Sequence, residues 1–205
     1  ASSGESVEIV REAKARGVRI TVETCPHYLS LSVQDMPRLG GCTCSPPMRE
    51  QRCIEDLWEA IKAGDVDTIG SDHSSWPITE DTFGGLSGGQ STLPVLLTEG
   101  YHRRGVSLER IAQITSANPA KLYRLDTRKG GVAVGFDADL AIVDLGEEFV
   151  LTKDMLFDKQ KHSPYLGKQF KGAVKYTISR GDVVFEGGRI TAEPGRGRMV
   201  TPWYK

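Results

Sequence analysis

The sequence has almost no net charge: 26 basic residues stand against 27 acidic ones, and the one basic cluster is the short run Arg196-Gly197-Arg198. Nothing here gathers a polyanion, so nucleic acid is excluded as an expected partner. A long apolar run is missing too. None approaches the roughly 20 residues that span a bilayer, so no membrane partner is expected. Cysteine is scarce, with Cys25, Cys42, Cys44 and Cys53 all in the first quarter of the chain. No signal-peptide pattern precedes them, which points to reduced thiols and a cytoplasmic location. A zinc site drawn from Cys25, His27, Cys42, Cys44 and Cys53 can be imagined, although the spacing matches none of the usual Cys-x-x-Cys knuckles. There is no initiator Met and no targeting segment. Ala1-Ser2-Ser3-Gly4 runs straight into a helix signal, so the chain is expected to start inside a longer polypeptide.

Helix and strand signals alternate along the first half of the chain. Ser2 or Ser3 can cap a helix over residues 5–16 that Gly17 ends. The β-branched, alternating segment Val18–Thr24 reads as a strand. A loop rich in Pro, Gly and Cys comes next, then a helix over residues 54–63 stopped by Gly64, then an apolar strand Val66–Gly70. Strand, helix, strand implies parallel strands joined by crossover helices. Three helices are expected over residues 90–104, 107–115 and 119–125, with Gly105 and Asn118-Pro119 as punctuation. From residue 130 the texture changes to short β-branched runs, 138–143, 173–178 and 183–186, with Arg180-Gly181-Asp182 as a hairpin turn. We read residues 1–130 as one unit and 131–205 as a small β unit.

The strand Val66–Gly70 delivers Ser71-Asp72-His73-Ser74. In a barrel of alternating strands and helices the loops after the strand tips build the active site. Asp72 is therefore a candidate metal ligand or proton shuttle, and the competing reading is an Asp that caps the next turn. His27 and His73 flank the expected site and read as supporting or structural residues; His102 and His162 read as surface residues. Pro46-Pro47 can equally be a rigid turn. The loop Gly84–Gly89 lacks the Gly-Lys-Ser/Thr ending of a phosphate-binding loop.

Several segments together resemble one family. Glu23-Thr24-Cys25-Pro26-His27-Tyr28-Leu29, Cys44-Ser45-Pro46-Pro47-Met48-Arg49, Ser71-Asp72-His73-Ser74, Gly85-Leu86-Ser87-Gly88-Gly89-Gln90 and Asn118-Pro119-Ala120-Lys121 occur in this order in the cyclic amidohydrolases. That group holds allantoinase, dihydropyrimidinase (hydantoinase) and dihydroorotase. Gly135-Phe136-Asp137-Ala138-Asp139-Leu140 resembles the phrase by which these enzymes re-enter their small β domain. His162-Ser163-Pro164-Tyr165-Leu166-Gly167 and Thr177–Asp182 resemble allantoinases more than hydantoinases.

The resemblance implies an α/β fold: the C-terminal part of a (β/α)8 TIM-like barrel, two strands of eight, plus part of a small β-sandwich domain. It implies metal-dependent hydrolysis of a cyclic amide, allantoin to allantoate, with hydantoin or dihydropyrimidine ring opening as the alternative. A non-catalytic scaffold of the same fold is the reading from another class. Zinc, as a binuclear site in the full-length enzyme, is the implied cofactor. A small cyclic ureide or imide is the implied partner, and a homo-oligomer is expected. Asp72 matches the family's metal-binding and catalytic Asp; Ser45 and Gly84 match its substrate-binding backbone positions. Ala1-Ser2-Ser3 matches the residues that come directly after a metal-binding histidine of the family, and that histidine would precede Ala1. Thr43 stands where several relatives have Lys, and the loop from His73 to Phe83 is shorter than in many allantoinases. On this reading the chain alone is inactive, poorly stable and left with exposed strand edges that promote association.

Overall fold

The computed structural model describes residues 1–39, 42–77 and 85–203. Helix α1 (Gly4–Ala15) starts at Ser3, whose hydroxyl accepts the Ser6 N–H at 3.4 Å. Helix α2 (Gln51–Ala63) buries Ile54, Leu57, Trp58 and Ile61, one face at helical spacing, and Gly64 closes it at φ 94°. Each such buried side chain contributes about 1.5–3 kcal/mol of burial free energy. Between these helices lies β1 (Glu23–Thr24), and after α2 comes β2 (Thr68–Ile69). The two strands run parallel, Glu23 opposite Thr68 and Thr24 opposite Ile69. The expected parallel pairing through a crossover helix is present.

The first strand is shorter than its β-branched run predicts. The Val22 N–H goes to the Asp67 side chain at 2.7 Å, which also takes Lys14 Nζ at 2.6 Å. Laddering therefore begins only at Glu23, and Val18 and Ile20 stay exposed.

The long loop after β1 folds into two 3₁₀ segments, Pro26–Leu29 and Val33–Leu39. Helix α3 (Thr92–Val95) passes into a π-helical stretch, Leu96–His102. Helix α4 (Leu108–Ala112) continues through π-helical Gln113–Ala117 into α5 (Asn118–Leu122). The break expected at Asn118-Pro119 does not occur: the helix runs on through Pro119, and the π-helical turn directly before it is where the backbone ladder adjusts to the missing N–H. Among the described residues no helix is long and apolar enough to cross a membrane.

The C-terminal part is an antiparallel sheet of β3 (Leu140–Val150), β4 (Gln169–Ser179), β5 (Asp182–Glu186) and β6 (Arg189–Ile190), in that order. Arg180 and Gly181 both have positive φ, 50° and 86°, the conformation of a tight twisted hairpin turn, as expected from the sequence. Gly187 and Gly188 repeat it before β6. One core joins Val7, Leu29, Trp58, Ile61 and Ile114; a second joins Leu31, Met48, Leu86, Tyr165 and Phe170. The second core fastens the sheet to the segments that carry the candidate site.

Candidate metal and active site

Because β1 and β2 are parallel neighbours, the residues just past their C-terminal ends lie side by side. Past β1 come Cys25, Pro26 and His27; past β2 come Gly70, Ser71 and Asp72. At Gly70 a Cβ would stand 2.5 Å from Glu23 Oε1, so a larger residue would displace the end of that carboxylate, which the Thr68 hydroxyl holds at 3.0 Å. Asp72 adopts φ 45°, a left-handed conformation that Asp tolerates better than most residues. The local turn is closed by Ser71, whose Oγ accepts the His73 N–H at 3.3 Å.

Asp72 and Ser45 line one cavity of about 410 Å³, together with Ala1, Glu23, Cys25 and Tyr28. Asp72 Oδ2 lies 3.8 Å from His27 Nε2; the imidazole is 2% exposed and the carboxylate side chain 51%. His27 Nε2 is buried without a hydrogen-bond partner. Cys25, His27 and Asp72 each offer a donor atom, all within 4.8 Å of one another. Burial, reinforced by the charges of Asp72 and Glu23, pushes the Cys25 thiol up to about 12. Burial pulls the His27 imidazole down to about 4, so it is neutral near pH 7. Tyr28 holds the Ser45-Pro46 turn in place by donating its hydroxyl to the Pro46 carbonyl.

Residues 85–89 of the glycine-rich loop are pinned against the Asp72 segment. His73 bridges to Leu86, the Ser74 N–H donates to the Leu86 carbonyl at 3.0 Å, and the Gly89 N–H donates to His73 Nδ1 at 3.1 Å. A Cβ on Gly85 would stand 2.2 Å from Ser74 Cβ. Glycine serves close backbone packing at this position.

Of the residues singled out by sequence, Asp72 and Ser45 are brought to one cavity, and Gly84 lies outside the described residues. His27 proves closer to Asp72 than a general supporting role implies. His102 differs from its surface reading: its Nε2 is buried and unpartnered. His162 Nε2 contacts the Trp76 carbonyl at 3.0 Å. The four-cysteine zinc arrangement does not form: among the described residues only Cys25 and His27 of that set share a donor cluster, with Asp72 as its third member, while Cys44 lies near enough to interact with Cys25 and Asp72 without joining it. Cys42 is buried in the second core and Cys53 lies on α2. Sequence reading did not pair Cys25 with Asp72. The signal was a Cys-x-His spacing at a strand tip, legible only once the neighbouring strand is known.

Residues 1–184 match the model of the amidohydrolase family. The chain is 46% identical to the allantoinase of Deinococcus radiodurans over 98% of its own length and 47% identical to that of Rubrobacter xylanophilus, again over 98%. It superimposes on the L-hydantoinase (dihydropyrimidinase) of Arthrobacter aurescens with a TM-score of 0.93 at 34% identity, covering 98% of this chain and 47% of that one. The chain thus spans about half the length of the relatives it matches, 46% of each allantoinase. With a family model over most of its residues and relatives well above 30% identity, the chain belongs to the amidohydrolase family.

Proposed function

We propose that this chain is the C-terminal portion of a (β/α)8 barrel enzyme that hydrolyses a cyclic amide, opening allantoin to allantoate. Residues 1–130 would complete the barrel and residues 131–205 would form part of a small β domain. The observation that carries the reading is Asp72 at the tip of β2, facing a cavity of about 410 Å³ that Ser45 also lines.

The family is metal-dependent, and the donor chemistry here fits a divalent cation: a half-exposed carboxylate faces the cavity beside an unpartnered buried imidazole nitrogen. We assign Asp72 as a holder of that metal, with a zinc pair completed by ligands from polypeptide preceding Ala1, which itself lines the cavity. When bound, such ions lower the pKa of water towards neutrality and polarise the amide carbonyl. Asp72 takes the proton of the attacking water and returns it to the leaving ring nitrogen, base first and acid second. Backbone groups at Ser45 and Gly84 receive the polar edges of a planar ureide. Close approach of a ring to Gly84 suits a residue without Cβ.

The cavity also suits a hydantoin or dihydropyrimidine, and the likeness to hydantoinase structures favours keeping that ring class in view. A homo-oligomer is part of the same proposal, as is a reducing cytoplasm, where Cys25, Cys42, Cys44 and Cys53 stay free thiols. The deciding experiment uses the full-length polypeptide loaded with zinc and assayed on allantoin, hydantoin and dihydrouracil. Fastest turnover of allantoin, lost by about a hundredfold to ten-thousandfold in Asp72→Asn, is the expected result. Turnover of none of the three, or an Asp72→Asn enzyme of normal rate, overturns the proposal.

A further inference from the structure

We propose that Cys25 Sγ, His27 Nε2 and an Asp72 carboxylate oxygen form a three-donor site for one borderline or soft divalent cation, assembled by this chain from its own residues. The hydrolytic reading uses Asp72 alone among the three and needs ligands from outside the chain; this site needs neither a substrate nor those ligands.

Three observations carry it. The first is convergence: the parallel register that sets Thr24 opposite Ile69 brings the next turns of both strands together, and the three donor atoms lie within 4.8 Å of one another. Zinc bonds of about 2.3 Å to sulfur and about 2.0–2.2 Å to nitrogen and oxygen put tetrahedral donors roughly 3.3–3.7 Å apart. His27 Nε2 and Asp72 Oδ2 are already 3.8 Å apart. The other donor pairs lie within 4.8 Å, so a contraction of about 1–1.5 Å at most brings the set to bonding distances. The second is the unpartnered His27 Nε2, in a side chain only 2% exposed. A buried polar nitrogen left unsatisfied is costly, and a cation on that lone pair removes the cost. Its ring is fixed by the 3₁₀ turn Pro26–Leu29 and by contact with Tyr28 at 4.1 Å between centroids. The third is access: Cys25 and Asp72 both line the open cavity, so an ion can enter and a water or anion can take the fourth position.

The donor set chooses the ion. One thiolate, one imidazole and one carboxylate suit zinc, cobalt or cadmium, whereas magnesium and calcium prefer all-oxygen shells. Binding displaces the Cys25 thiol proton to solvent, and the sulfur lone pair forms the new metal bond; no oxidant or reductant takes part.

The test titrates this 205-residue chain with cobalt(II) and cadmium(II) chlorides. The expected result is one equivalent of each ion bound, with a thiolate-to-metal charge-transfer absorption. The absorption disappears in Cys25→Ser and persists in Cys53→Ser, and His27→Gln weakens binding at least tenfold. A second measurement needs no variant: cadmium slows alkylation of Cys25 by iodoacetamide at least tenfold, read by peptide mass spectrometry, and leaves Cys53 unprotected. Alkylation of Cys25 at equal rates with and without cadmium overturns the proposal, as does an absorption unchanged in Cys25→Ser or equal competition by magnesium. Each of these failures leaves the Asp72 assignment standing, because that is judged by turnover of the full-length polypeptide.

Discussion

Replacing Gly172 by alanine tests how the sheet is locked to the helical part of the molecule. Gly172 lies within β4 at φ +102°, and a Cβ there would stand 2.9 Å from both Cβ and Cδ1 of Leu97, which is 1% exposed. Two costs add. Forcing an L side chain into the left-handed half of backbone space costs about 1–2 kcal/mol. Overpacking against a buried leucine costs about 1–3 kcal/mol more. The sum, about 2–5 kcal/mol, is a large part of a domain's total stability. Gly181→Ala isolates the first cost, because Gly181 has φ +86° and nothing within 4 Å of its would-be Cβ. Urea denaturation followed by far-UV circular dichroism should show Gly172→Ala less stable than Gly181→Ala by about 1–3 kcal/mol, with an unchanged denaturant slope. Adding Leu97→Ala removes the Cδ1 contact and keeps the Cβ one, so the double variant should regain at least about 0.5 kcal/mol relative to additivity. Equal losses at Gly172 and Gly181 would refute the packing argument.

Three further outcomes rest on the geometry. Glu99 is only 5% exposed and receives Lys168 at 2.8 Å, Arg103 at 3.0 Å and Arg104 at 3.1 Å. Burial pushes its carboxyl up, but these three cations outweigh burial and hold it below the ordinary glutamate value of 4.5. Its contribution is therefore complete above that value and lost as pH falls through the lower folded value. Glu99→Gln should cost about 1–3 kcal/mol at pH 7 and much less at pH 3 by urea denaturation, and an equal loss at both would contradict this. Trp58→Phe removes an indole N–H that donates to the Leu29 carbonyl at 2.8 Å in a fully buried setting, and the stranded carbonyl should cost about 1–3 kcal/mol. An unshifted urea midpoint would show that water replaces the bond. In the full-length polypeptide Asp72→Asn should lower zinc content, measured by atomic emission, along with turnover; normal metal content with lost turnover would confine Asp72 to proton transfer.

The legible parts of the fold are those where local chemistry and tertiary packing agree. Helix α2 announced itself by the spacing of Ile54, Leu57, Trp58 and Ile61 and by Gly64, and the hairpin turn by Arg180-Gly181. The far half of β3 was hidden because its middle is polar: Asp144 Oδ1 accepts the N–H groups of Gly146 and Glu147, making a bulge that shifts the register before Glu148. Period-two patterning cannot pass through such an insertion. At the site, Asp72 was legible because an apolar strand ends just before it. The closeness of Cys25 and His27 to Asp72 was not, because it depends on Thr24 pairing with Ile69, far away along the chain, a register no local pattern encodes.

The π-helical stretch has a physical reason in the same packing. Residues Leu96, Leu97, Thr98, Glu99 and Gly100 are five consecutive buried positions, more than one face of an α-helix can bury against a single neighbour. They serve two neighbours at once. Leu97 meets Gly172, the Thr98 hydroxyl receives the Lys171 N–H at 2.9 Å, and Glu99 binds Lys168, all along β4 or its approach. On the other side Gly100 lies against the Trp58 ring, where a Cβ would stand 2.8 Å away. Bonding each N–H five residues back widens the turn and lets three successive side chains reach the sheet while Gly100 still clears the indole. Since Trp58 also holds the Leu29 carbonyl just past His27, the sheet, the π stretch, α2 and the candidate metal site form one continuous packed path. A change that straightens the π stretch into regular α-helix must therefore give up either the sheet contacts or the Trp58 contact. The second loss reaches the cavity through Leu29.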